Sequence, residues 1–151
     1  MKSKISFLLV IIMVATAFLA GQTQKLTFQG AREQATKLHR SLLPSATPAV
    51  QARIKATARA ARTYLETCGQ SCDLHAFLNK DIRQRFSTRK ETELQLLETL
   101  AFAEIISGMS EQDQLDLQNR LQKEQQLLQT ISNIMKNEHD TLKAIIQNIR
   151  S

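Results

Sequence analysis

Cys68 and Cys72, the only cysteines of the chain, are separated by three residues in Thr67-Cys-Gly-Gln-Ser-Cys-Asp73, and His75 follows closely. Several chemistries use such a cluster, and the spacing sorts them. Redox-active pairs hold two residues between the cysteines, not three. Covalent haem attachment requires a histidine directly after the second cysteine, where this chain has Asp73. A tetrahedral zinc could take Cys68, Cys72 and His75 with His39 or His139 as the fourth ligand, but nothing in the spacing requires it and oxidation would abolish it. An even cysteine count in an exported chain favours a disulfide, and Gly69 in the intervening turn lets the two α-carbons approach. The expectation is a local Cys68–Cys72 disulfide that fixes a turn. An intermolecular bridge and a free thiol pair are the rivals. No metal and no cofactor is expected.

The remaining residue types offer little further chemistry. His39 and His139 fall among polar residues, as solvated side chains do. There is no glycine-rich phosphate loop and no glycine-flanked turn to present a nucleophilic serine. Glu124 and Glu138 lie two heptads apart, about 21 Å along a continuous helix, too far to act on one bond. No catalytic residues are assigned, and the chain is not expected to be an enzyme.

Residues 1–20 carry the pattern of a secretory signal peptide. Lys2 and Lys4 precede an apolar run from Ile5 to Val14, and small residues allow cleavage after Ala17, Ala20 or Gly21. Export to a periplasm or an extracellular space is therefore expected, ahead of the rival reading of an uncleaved membrane anchor. Residues 21–29 read as a loose lead and 30–151 as a single domain.

The composition decides the fold class. The 151 residues include four Gly, two Pro, one Tyr and no Trp, too few turn formers for an all-β fold. Good helix formers dominate, so the class is all-α. A first helix is predicted from about Gly30 to Leu43, ended by Pro44. Thr47 and Pro48 open a second that runs to Thr67, with Val50, Ile54, Ala58, Ala61, Leu65 and Cys68 on one face and Gly69 as the stop. Leu74, Phe77, Leu78, Ile82 and Phe86 continue at helical spacing. A break is expected near Ser87, where Thr88 and Glu91 resemble a capping box. Leu94, Leu97, Ala101 and Ile105 carry the next face, as far as Gly108.

Beyond Ser110 there is neither Gly nor Pro. Leu121, Leu128, Met135, Leu142 and Ile149 recur every seven residues, while Leu117, Ile131 and Ile145 fill the alternate row. Leu127 and Ile134 broaden the stripe, and Glu124 and Glu138 interrupt it. This pattern predicts one C-terminal helix of about 40 residues, roughly 60 Å long. With short joins at CGQSC and Gly108, the architecture expected is an elongated up-down antiparallel bundle of three long helical arms plus a short N-terminal helix.

Charge is divided along the chain. Residues 25–90 hold 13 Lys or Arg against 4 Asp or Glu, and residues 91–151 hold 5 against 10, within an overall +6. The halves can complement each other inside one bundle, pair head to tail between copies, or present a basic face at Arg53, Lys55, Arg59 and Arg62 to an acidic lipid or glycan. Nucleic acid is disfavoured, because no aromatic residue interleaves with that face.

Two functions follow as expectations. The first is an exported helical interaction or structural protein that binds a protein partner or itself through the stripe Leu117, Leu121, Leu128, Ile131, Met135, Leu142, Ile145 and Ile149. The second is an envelope chaperone-like or lipid-binding module with a basic surface. Leu26-Thr27-Phe28-Gln29 and Met109-Ser110-Glu111-Gln112 resemble the Leu-Thr-x-x-Gln motif of small exported helical chaperones, each with its glutamine one position early. That likeness covers two fragments and assigns no family. A cytokine-type bundle ranks last, since its long crossover loops are missing.

Overall fold

The computed structural model describes residues 26–121 and 124–150; the signal-peptide reading of residues 1–20 lies outside them. Among the described residues there are seven α-helices and no strand. Thr27 opens α1 (Phe28–Leu42) by accepting from the Gly30 N–H at 3.1 Å. Pro44 falls in a single 3-10 turn, Leu43–Ser45. Helix α2 (Pro48–Thr67) starts as predicted, with Thr47 accepting from the Val50 N–H and Pro48 at the first position. It ends at Gly69, whose φ of 63° only glycine adopts at low cost.

Asp73 caps α3 (Leu74–Arg85) by accepting from the Ala76 N–H at 2.8 Å. The chain then leaves the helical region at Phe86 and re-enters it as α4 (Glu91–Ser107). The expected break near Ser87 is therefore present. The Thr88 cap is not, because Lys90 holds the N-cap position and makes no side-chain bond there.

Helix α4 is the centre of the molecule. The sequence LLETLAFA, residues 96–103, is buried without interruption, so α4 hides its whole circumference and not one face. A helix that is apolar all round belongs inside a core. Helices α1, α2 and α3 pack on it. Phe28 of α1 meets Phe102 edge-on with ring centres 6.1 Å apart, and Tyr64 of α2 stacks on Phe77 of α3 at 4.6 Å. The arrangement is a compact helical bundle around one helix.

The segment after Gly108 departs most from expectation. In place of one helix of about 40 residues it forms α5 (Glu111–Leu121), α6 (Gln125–Ile134) and α7 (His139–Asn148). Glu124 and Glu138, the two interruptions of the apolar stripe, are the N-cap residues of α6 and α7. At the second break the Asn137 amide donates to the carbonyls of Asn133 and Ile134, closing the turn that ends α6. The physical reason is length. The central helix has 17 residues and spans about 25 Å, so a straight rod of roughly 60 Å would leave over half its stripe in water. Broken twice, the segment lays α6 and α7 against α4.

Candidate functional site

The predicted interaction stripe is part of the protein's own core. Leu117, Leu121, Ile131, Leu142 and Ile149 are each at most 2% exposed, while Leu128, Met135 and Ile145 are half-buried against the same core. In this conformation the stripe is not available to a partner.

Cys68 and Cys72 are disulfide-bonded, with α-carbons 5.3 Å apart. The bridge closes the turn between α2 and α3, and α5 is clasped onto it. The Arg120 guanidinium donates from Nη2 to the carbonyls of Leu65 and Gly69, both at 2.9 Å, and lies against both sulfurs. These carbonyls are unpaired at the end of α2, so a cation there meets the negative end of the helix dipole.

The predicted basic face divides. Lys55 and Arg59 are exposed. Arg53 instead donates to the Arg85 carbonyl, with its guanidinium 6.0 Å from the Phe86 ring centre. Arg62 reaches the carbonyl of Glu104 at 3.2 Å and caps the end of α4. It lies so close to Gly108 that a β-carbon there would collide with it.

A buried polar cluster joins three elements. Glu98, at the middle of α4 and 1% exposed, accepts from the Asn79 amide at 2.7 Å. Its other oxygen is 3.0 Å from His75 Nδ1, but the two are not aligned for a hydrogen bond and neither atom has another partner. The contact is therefore electrostatic. Glu124 accepts from the His75 main-chain N–H at 2.6 Å, which places a carboxylate on the first turn of α3. Burial pushes the Glu98 carboxyl up, opposed by Asn79 and His75. Burial also raises Glu124, to about 7; the His75 N–H opposes this and nearby Asp73 adds to it. Another histidine, His39, bonds Glu104 at 2.6 Å across α1 and α4. Among the described residues no group of three or more His, Cys, Asp or Glu could hold a metal ion.

A broad concavity lies elsewhere. A groove of about 800 Å³ runs between α1, the end of α4 and the first turns of α5. Arg32, Lys37 and Arg40 project from α1 into its lining. Gln114 of α5 fixes one edge. Its Nε2 donates to the carbonyls of Ile106 and Met109, and its Oε1 accepts from Arg32 at 3.0 Å. Lys37 and Arg40 make no ion pair among the described residues. The sequence carries a signal for this site: Arg32, Thr36 and Arg40 recur at four-residue spacing, one stripe of a helix. The basic run of α2 is denser and masks this sparser stripe in the sequence.

Comparison with protein families, with curated proteins and with solved structures finds nothing that matches the chain.

Proposed function

We propose that this chain is an exported, non-enzymatic helical binding protein that recognises its partner through its polar outer surface at the α1 groove. The observation that carries the reading is the division of side chains. The stripe residues pack inward, while Lys37 and Arg40 line a broad groove and make no ion pair among the described residues. The half-buried histidines His39 and His75 are engaged with Glu104 and with Glu98, contacts that suit a structural role. Export rests on the N-terminal pattern of Lys2, Lys4 and the Ile5–Val14 run, and the disulfide suits an oxidising compartment.

The test is crosslinking of the tagged, exported protein followed by capture, with and without reductant, mapping the crosslinked residues. The expected result is a saturable partner whose crosslinks fall on α1 and the start of α5. Recovery of monomer alone would overturn the proposal.

A second reading is favoured by the way α5 is held. Leu117 and Leu121 are its only buried side chains, and Gln114 and Arg120 supply its polar clasps. Release of α5 would let residues 111–150, which contain no Gly or Pro, rejoin in their heptad register as an arm of about 40 residues. That open form would offer its stripe to lipid, to an unfolded chain or to a second copy. Liposome flotation and suppression of client aggregation separate this reading from the first.

A further inference from the structure

We infer that the α1 groove is a binding site for a strand of acidic polysaccharide, whose carboxylate or sulfate groups sit on Lys37, Arg40 and Arg32. This rests on the binding-protein reading and names its ligand class.

The argument begins with charge. Arg32 and Arg40 are eight residues apart, about 12 Å along α1, and Lys37 lies between them on the adjoining row. Three cations thus mark out a line, not a point. One carboxylate, Glu33, shares the lining and accepts from the Gln29 amide at 3.2 Å, so it offsets only part of the positive charge of Arg32, Lys37 and Arg40. A line of cations in a concavity selects a linear polyanion over a single small anion.

The uncharged lining then discriminates among polyanions. Thr36, Ser41 and Ser107 place hydroxyl groups among the cations, and Gln114 adds an amide. These groups suit a ligand that itself carries hydroxyls between its charges. No aromatic side chain lines the groove, so bases would have nothing to stack on, which disfavours single-stranded nucleic acid. Ile106 is its one large apolar contributor, too little to hold the side chains of an acidic peptide. A bilayer is disfavoured by shape and by composition. The site is concave, and the only large apolar side chain exposed among the described residues is a single leucine, Leu115 beside Gln114, too little to anchor the face in acyl chains.

The experiment is binding of the intact exported protein to fluorescent polygalacturonate and heparin oligosaccharides, read by anisotropy over a salt series. Phosphatidylglycerol vesicles and oligothymidylate serve as comparison arms. The expected result is saturable binding of one or both glycans that weakens steeply and linearly in log–log form with salt, and tighter binding than either comparison arm. The paired variant Lys37→Glu with Arg40→Glu should lose roughly tenfold or more of that affinity, with helicity by circular dichroism unchanged. Lys80→Glu with Arg83→Glu on α3 removes the same charge elsewhere and should lose far less. Absence of glycan binding, equal loss in the two paired variants, or tighter binding of vesicles or oligothymidylate would each overturn the inference. The binding-protein reading is scored separately. A wild type that captures a partner but binds no glycan sinks the glycan site and leaves the protein a binder, whereas a wild type that binds neither sinks both.

Discussion

Single residues hold this molecule at places where helices end. Arg120, Arg62 and Glu124 each reach across to another element's terminus and satisfy main-chain groups that a helix cannot satisfy itself. Glu124 does so at a cost, because its carboxylate is drawn out of water and its carboxyl is raised to about 7. The consequence for stability has a definite sign. A carboxyl whose folded value lies above its ordinary 4.5 binds protons more tightly in the native state. Its favourable contribution is complete below pH 4.5 and is lost as pH rises through about 7. Glu98, also raised by burial, acts in the same direction. We expect thermal stability to fall between pH 5 and pH 8 (about the span of these shifts). Glu124→Gln, which keeps an acceptor for the His75 N–H, should recover about 1 to 2 kcal/mol at pH 8 after allowance for the water that reaches the site. Thermal melts of both proteins across that range check this; a wild type that gains stability with rising pH would contradict the account.

At the scale of elements, the decisive fact is that α4 lies inside the bundle and not along its side. Its opposing faces carry Leu94, Leu97, Phe102 and Ile106, all buried and touched from different directions by α1, α2, α3 and α6. Truncating a central side chain leaves a cavity that several helices border and none can fill alone. Phe102→Ala should therefore cost about 3 to 5 kcal/mol, against roughly 1 kcal/mol or less for Lys55→Ala on exposed α2 surface. Denaturant unfolding of both variants measures this, and hydrogen exchange should find the α4 amides the slowest of the chain. Several helix ends before Gly108 are written locally: Thr47 with Pro48, Gly69 and Asp73 act as their residue types predict. By contrast, α1 begins at Phe28, buried against Phe102, and not at Gly30, and Thr88 caps nothing. The breaks at Glu124 and Glu138 were not readable in the same way. No Gly or Pro marks them; at the first, Glu124 reaches the N-terminus of α3, a contact that exists only in the packed protein, and at the second the Asn137 amide closes the turn.

For the whole molecule, shape follows from those breaks. An arm of roughly 60 Å would make an elongated particle, whereas seven short helices packed with α4 at the centre make a compact one. A compact chain of about 130 residues has a radius of gyration of about 14 Å, and small-angle scattering of the protein without residues 1–20 should return a value close to it. A markedly larger value would favour the open arm. The sequence by itself determined the helical class, the opening of α2 at Thr47 and Pro48 and the division of charge, and it favoured the local disulfide over its rivals, because composition, turn chemistry and loop closure act over a few residues. Only the tertiary structure decided which apolar stripe faces inward, that the C-terminal segment breaks twice, and that Arg32, Lys37 and Arg40 meet the end of α4 in one groove. Those depend on the length and curvature of the surface each helix must cover, which no local pattern encodes.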